Sequence, residues 1–216
     1  MNVLAIDGAL GEFSAAFATE GRVVAARAAG GNIALEAGLT MLRDVMRDAR
    51  ISHERIDRLA VGTGPGSFTG LRIAVAYAKS LAQAWHLPLV PVSSFDLLEY
   101  GRDPERVLAV VAGRPGVVSV RYRDAGAVRR ASGRTRDAIA EIAPGNDRTL
   151  VVIGASKDVL AELAERRIVV DPLEPLVTPP AAAAALAAAA CEPAPSPHGV
   201  TADYGELPAA KVPKFL

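Results

Sequence analysis

Few residues in this 216-residue chain have the type and placement to do chemistry. Asp7 closes the apolar run Val3-Leu4-Ala5-Ile6 and is followed by Gly8. An acid at the end of a first strand can hold a metal ion or orient a water in a phosphate-transfer fold. An Asp-Gly pair is equally a turn former. The second feature is Gly62-Thr63-Gly64-Pro65-Gly66-Ser67-Phe68-Thr69-Gly70, between an apolar run and a helical pattern. A turn this rich in glycine can bring backbone N–H groups to an anion at a helix N-terminus. It fits neither nucleotide template. Five residues after Gly62, Gly64 and Gly66 stand Ser67, Thr69 and Leu71, where a GxxxxGK[ST] loop needs glycine. A G-x-G-x-x-G pattern fails at Ser67 and Thr69 for the same reason. The plainer reading is that the glycines let a strand turn sharply and a helix pack close to a sheet. Ser67 and Thr69 have no histidine or lysine beside them, so helix capping is the role their position suggests.

Other chemistries are poorly supplied. His53, His86 and His198 are far apart in sequence, so an H-E-x-x-H metal helix is absent. A single cysteine, Cys191, allows neither an internal disulfide nor a cysteine zinc site. Its place beside an alanine run suggests a small core residue. His53 sits in the polar stretch Ser52-His53-Glu54-Arg55 and is expected in solvent. No pair of carboxylates has a spacing that suggests glycosidase work. The 24 basic and 24 acidic residues balance, which argues against gripping nucleic acid by bulk charge. Arg129-Arg130, Arg134 and Arg136 form a local basic cluster, read first as a solvated face. The N-terminus has no basic region and its apolar run stops at Asp7, unlike a signal peptide. The longest apolar run, Ala181 to Cys191, is short of the ~20 residues that span a bilayer. A soluble, cytoplasmic protein without a membrane partner is expected.

The elements that must position these residues follow from periodicity. Val3–Ile6, Phe13–Phe17 and Arg22–Ala26 read as a meander joined by glycine turns. Leu35, Leu39, Leu42, Val45, Met46 and Ala49 make one helical stripe. Leu59–Val61 is a fourth strand running into the glycine-rich turn. A helix over 71–85 carries Leu71, Ala74, Ala78, Leu81 and Trp85 on one face, with Ile73, Val75 and Tyr77 widening it. Leu87–Val92 is a strand, and Ser93 with Asp96 caps a short helix through Tyr100. Gly101-Arg102-Asp103-Pro104 marks a boundary, giving lobes over 1–103 and 104–216. The second lobe is expected to hold strands at Val107–Val111, Val117–Tyr122, Leu150–Ile153 and Ile168–Val170, a hairpin turn at 124–126 and a helix over Asp158–Arg166. A last helix over Ala181–Ala190 has Thr178 as its N-cap and proline in its first turn. Both lobes start with strand-turn-strand units, a hint of structural duplication. The class is α/β, with helices on mixed sheets.

Ala60-Val61-Gly62-Thr63-Gly64-Pro65-Gly66-Ser67-Phe68-Thr69-Gly70-Leu71-Arg72-Ile73 resembles the signature of the TsaB (YeaZ) family. Leu4-Ala5-Ile6-Asp7, Ala78-Lys79, Leu81-Ala82 and Pro91-Val92-Ser93-Ser94-Phe95 extend the likeness through residue 100 or so. The resemblance implies an actin-like (ASKHA, sugar kinase/Hsp70 type) ATPase fold of two lobes. It implies a non-catalytic scaffold that supports a TsaD-type protein in transferring a threonylcarbamoyl group to adenosine 37 of tRNAs reading A-starting codons. It further implies that a TsaE-type ATPase joins, that the chain pairs with itself when alone, and that tRNA is met only through the complex. The expectation is that no nucleotide is bound intrinsically and that ATP or ADP belongs at the complex with TsaD. The partner face falls on the N-terminal lobe helices, where Leu39, Leu42, Met46, Leu71, Ala74 and Ala78 offer apolar and small surface. Asp7, Gly64, Pro65, Gly66, Ser67, Thr69 and Arg72 fall at the nucleotide or partner site. No residue is implied to be catalytic or to bind a metal. The chain departs from the family at Gly8-Ala9, where two hydroxyl residues are usual, and at Ala34-Leu35, Ala112-Gly113-Arg114 and Tyr204-Gly205-Glu206. A stand-alone kinase or ATPase of the same fold is the alternative. It would need a second phosphate loop after residue 104, and no Asp-Gly-Gly-Thr-like stretch is there. A peptidase would need a metal pair or triad that the sequence does not offer.

Overall fold

Near-continuous apolar runs at 3–6 and 59–61 demand strands covered on both faces, and that is their setting in the computed structural model, which describes residues 1–30, 34–142 and 144–205. The first sheet joins β1 (Asn2–Asp7), β2 (Phe13–Thr19), β3 (Arg22–Ala29), β4 (Arg58–Gly62) and β5 (Leu89–Val92) in the order β3-β2-β1-β4-β5. β1 to β3 form the antiparallel meander, and β4 and β5 run parallel to β1. α1 (Ala34–Asp48), α2 (Phe68–Trp85) and α3 (Ser94–Glu99) complete this half. The second sheet joins β6 (Arg106–Ala112), β7 (Val117–Asp124), β8 (Ala127–Arg134), β9 (Leu150–Ile153) and β10 (Val170–Leu173) in the order β10-β9-β6-β7-β8. Its meander and its parallel pair repeat the first sheet's plan. α4 (Thr135–Ile142), α5 (Lys157–Glu165) and α6 (Pro180–Ala187) are the remaining α-helices among the described residues.

Side-chain size sorts the two faces of the first sheet. Leu4, Ile6, Phe17, Leu59, Val61 and Leu89 meet α1 and α2 in one core. Val3, Ala5, Ala16, Ala18 and Ala60 meet α6 on the other face. The alternation of large and small residues along β1 and β2 is what sends them to opposite sides. Ala181 to Ala185 are all buried, so this helix, apolar all round, is enclosed between the sheet and α3. The second sheet packs Leu108, Val110, Val118 and Val120 against α4 and α5. Its other face, with Val107, Ala109, Val111 and Ile153, takes Phe95 and Leu98 of α3.

Several expected boundaries change. α6, expected in the second lobe, returns to cover the first sheet. Arg58 Nη1 of β4 caps its C-terminal carbonyls at Ala188 (3.0 Å) and Cys191 (3.1 Å). The N-cap of α6 is Pro179, not Thr178, and the buried Ser14 Oγ accepts the Ala181 N–H at 3.2 Å. The first donor is thus satisfied from β2 rather than locally. α2 starts at Phe68, inside the stretch expected to be turn, because Ser67 caps it. α3 ends at Glu99, one residue before Tyr100. The last strand is Val170–Leu173, with Ile168 buried just ahead of it. α4 was not anticipated; its Ala138, Ile139 and Ile142 are a minimal helical stripe.

A buried ionic tie joins the halves. Glu99 of α3 accepts from Arg121 Nε (3.0 Å) and Arg123 Nε (2.7 Å) on β7. Arg121 Nη1 reaches Asp96 at 2.5 Å, and Arg123 Nη1 reaches Asp103 at 3.3 Å. Glu99 and Arg121 are both almost fully buried. Removing one partner of such a pair leaves an uncompensated buried charge. Glu99→Ala is therefore expected to cost about 3–5 kcal/mol, read as a lowered midpoint in urea unfolding, with Glu99→Gln milder.

Candidate functional site

The glycine-rich turn is a joint between three pieces of backbone. A β-carbon on Gly70 would strike the carbonyl of Gly8, and one on Gly8 would strike the carbonyl of Gly70. One on Gly66 would strike the carbonyl of Ala9, to which Ser67 N–H donates at 2.8 Å. The β1–β2 turn thus lies directly on the start of α2, with no side chain between them. From the other side, Asp203 N–H donates to Thr63 O (2.7 Å), and a β-carbon on Gly64 would strike Asp203 O. Gly64 also has φ +98°, a region that favours glycine. Thr63 N–H goes to Val92 O and Ser94 N–H to Gly64 O, which ties the loop to β5 and α3. Ser67 Oγ accepts from Gly70 N–H at 3.3 Å as the N-cap. Pro65 is buried, and Thr69 is exposed in the first turn of α2.

Asp7 belongs to this joint. It is fully buried, and its Oδ2 accepts from the N–H groups of Ala9 (3.1 Å) and Leu10 (3.2 Å). Its Oδ1 has no hydrogen-bond partner and occupies the space that a β-carbon on Gly62 would need. Asp7 therefore braces the β1–β2 turn from below rather than presenting an acid to solvent. Burial pushes its carboxyl up to about 6, against the partial relief given by Leu10 and Ala9 N–H.

Between the lobes lies a cleft of about 920 Å³. Leu10, Gly66, Ser67, Phe68, Arg72 and Tyr204 form one wall; Val110 to Arg114, Val117, Ser119 and Gly154 form the other. The departing triplet Ala112-Gly113-Arg114 is thus a cleft feature. At the mouth, the Arg72 guanidinium lies 4.1 Å from the Phe68 ring centroid and 5.9 Å from that of Tyr204. The two rings are 5.0 Å apart, and Arg72 Nε is 3.4 Å from Tyr204 Oη. Phe68 is 53% exposed. Of these three, Arg72 alone was expected at the site. The spacing of Phe68 and Arg72, four residues apart at a helix start, was the available signal. Tyr204 lies in a tail with no periodicity. Lys79 holds that tail to α2 through the carbonyls of His198 (3.0 Å) and Val200 (3.1 Å).

The expected partner face divides. Leu71, Ala74 and Ala78 are fully buried against the sheet and are not surface residues. Their stripe is the one that α2 needs to pack on β1 and β4. Leu42 is also buried, while Met46 is half-buried and Leu39 is 53% exposed. Leu39, Leu42, Met46, Ile51, Leu81 and Trp85 line an apolar groove of about 400 Å³ between α1 and α2, edged by Arg43 and Arg47. His53 is exposed as expected and lies 5.4 Å from the Trp85 ring. Side chains at Ala34-Leu35 and the residue Glu206 lie outside the described residues.

Residues 35–170, more than half of the chain, match the family model for TsaD, described as tRNA N6-adenosine threonylcarbamoyltransferase. The tRNA threonylcarbamoyladenosine biosynthesis protein TsaB of Escherichia coli is 35% identical over 122 residues, 55% of this chain and 53% of that protein. The chain belongs to the TsaD family, in its TsaB/YeaZ branch. The alignment spans about half the length of the E. coli relative. The structure of YeaZ from Pseudomonas aeruginosa covers 94% of this chain and 99% of its own, with a TM-score of 0.68 and 23% identity, which shows a shared fold. A Bacteroides thetaiotaomicron protein with an actin-like ATPase fold covers 80% of this chain and 90% of its own, with a TM-score of 0.50 and 10% identity. The two-lobe α/β architecture is of that actin-like type. No helix among the described residues is long and apolar enough to cross a membrane.

Two outcomes follow from the joint. Gly8→Ala is expected to destabilise the protein by about 2–3 kcal/mol, while Gly199→Ala, whose added methyl meets open space, stays within about 0.5 kcal/mol; thermal unfolding of both variants checks this. The raised carboxyl of Asp7 means that the folded state holds its proton more tightly than the unfolded chain does. Its contribution is complete below about pH 4 and is lost as pH rises through about 6, a change on the order of 3 kcal/mol. Denaturant unfolding from pH 4 to 7 should show this decline in the wild type and a flatter profile in Asp7→Asn.

Proposed function

We propose that this chain is an accessory subunit of a tRNA threonylcarbamoyladenosine-forming complex, which docks a TsaD-type protein and does no group transfer itself. One observation carries the reading: α1 and α2 leave an apolar groove open beside Leu39, on the lobe whose glycine turn is already spent on internal packing. Family membership supports the TsaD-type partner. An apolar groove edged by arginines fits an amphipathic helix or a second such groove face to face, so one surface serves self-pairing and the TsaD-type partner in turn. The loop's amides at Thr63 and Ser67 are committed to Val92 and Ala9. ATP or ADP then belongs to the assembled complex, a TsaE-type ATPase joins it, and tRNA receives the group at adenosine 37 on the TsaD-type subunit. The work is cytoplasmic and needs no membrane. A stand-alone kinase or ATPase has the inter-lobe cleft in its favour, and ATP hydrolysis by the isolated chain would reveal it.

Size-exclusion chromatography with light scattering, with the TsaD-type protein of the same organism, tests the proposal. A 1:1 species that replaces a self-dimer is expected. Leu39→Asp, at an exposed position, should weaken both associations by about 30-fold or more with the fold intact. Failure to associate in the presence of ATP and the TsaE-type ATPase would overturn the reading.

A further inference from the structure

β8 is an edge strand with three arginines and no acid: Ala127-Val128-Arg129-Arg130-Ala131-Ser132-Gly133-Arg134. Edge strands carry charge to block pairing with other chains, and the edge strand β3 of the first sheet shows the ordinary way of managing it. There Arg27 of β3 is paired with Asp48. On β8, Arg129, Arg130 and Arg134 are exposed and have no carboxylate within ion-pair distance among the described residues; Arg129 lies over the Tyr122 ring at 4.9 Å and Arg130 over the Phe95 ring at 5.8 Å. The nearest acid of the hairpin, Asp124, is engaged by Tyr122 Oη at 2.7 Å.

Arg130 and Arg134 flank Ser132 at two residues on either side, so all three share one face of the strand. That face looks toward the cleft: Ser132 Oγ donates to Ser119 Oγ (2.9 Å), a cleft residue, and Arg134 pairs in register with cleft-lining Val117. Gly205 brings the other wall to the same place. A β-carbon there would lie 3.4 Å from Ser132 Oγ and 3.1 Å from Pro65 Cβ. Its neighbour Tyr204 stacks with Phe68 and Arg72. The exposed rings of Phe68 and Tyr204 thus share this side of the protein with Arg130 and Arg134, neither held by a carboxylate among the described residues. Aromatic platforms beside a basic track are how proteins hold single-stranded nucleic acid: rings take bases and arginines take phosphates.

We propose that this rim, from Phe68, Arg72 and Tyr204 across to Arg130 and Arg134, is an RNA-binding surface that takes an unpaired stretch of the tRNA substrate. It deepens the accessory-subunit reading by giving this chain its own contact to RNA, apart from the α1–α2 groove. Single strands suit the site because their bases can be splayed onto the rings, which a duplex does not allow.

The test uses the full chain, alone and with its TsaD-type partner, and an unmodified tRNA transcript that reads an A-starting codon. Binding is measured by fluorescence anisotropy from 50 to 200 mM salt. Arg130→Gln/Arg134→Gln should lose more than about tenfold in affinity, and its slope of log K against log salt should be shallower by about one to two. Phe68→Ala should lose affinity with the slope unchanged, since it removes stacking and no charge. Unchanged tRNA affinity in the arginine variant would overturn the proposal. So would loss of partner binding with tRNA affinity retained, which would make the rim a protein contact. Displacement of tRNA by millimolar ATP with the arginine variant still binding would assign the cleft to a mononucleotide instead. The single variants Arg130→Gln and Arg134→Gln, both at exposed positions, give the same reading should the pair fold poorly. If the wild type binds tRNA but not the TsaD-type partner, the accessory-subunit reading falls and this one stands.

Discussion

Two backbones meet at Gly8 and Gly70 with no side chain between them, and the first lobe is arranged around that contact. Because the β1–β2 turn lies on the start of α2, the helix is set at a fixed height above the sheet. Asp7 makes the close approach workable by taking up the amides of Ala9 and Leu10 that the turn would otherwise bury unpaired. Gly62 must then lack a β-carbon to leave room for that carboxyl. The conspicuous glycines of this loop thus have a mechanical cause, and it does not require a phosphate. They resemble a nucleotide loop because both uses need backbone to approach something closely.

The same economy runs through the rest of the molecule. One plan of meander plus parallel pair is used twice, and α3 is wedged between the copies. Phe95 and Leu98 enter the second core while Glu99 ties down Arg121 and Arg123. Residues 197–205 then recross the first lobe and clasp the glycine turn through Asp203. With the cleft tied at α3 and clasped at Tyr204, two surfaces among the described residues stand out for unmet chemistry, the α1–α2 groove and the basic rim of β8. They differ in chemistry, one apolar and one cationic.

Much of this was legible in the sequence because local rules and burial agreed there. The runs at 3–6, 59–61 and 107–111 and the strand-turn-strand start of each lobe fell where periodicity puts them, and Ser67 and Ser93 cap their helices as their positions suggest. Leu71, Ala74 and Ala78 misled as partner residues because a stripe of small apolar side chains looks alike whether a sheet or a partner helix covers it. Only the sheet's position decides, and that depends on Gly8. α6 was assigned to the wrong half because a helix of almost nothing but alanine has no preferred face and gives no sign of what it packs on. The Glu99–Arg121–Arg123 tie and the Tyr204 clasp join residues more than 20 and 130 apart, and nothing in spacing or composition predicts such pairings.

Hydrogen–deuterium exchange on the full chain tests most directly whether the glycine turn is a joint and the α1–α2 groove the docking face. It would be measured alone, with Mg-ATP, and with the TsaD-type protein. The account predicts strong protection of residues 62–70 in the free chain, no further change with Mg-ATP, and new protection over 37–51 and 77–87 with the partner. Fast exchange at 62–70 that slows when Mg-ATP is added, with the helices unchanged by the partner, would contradict it.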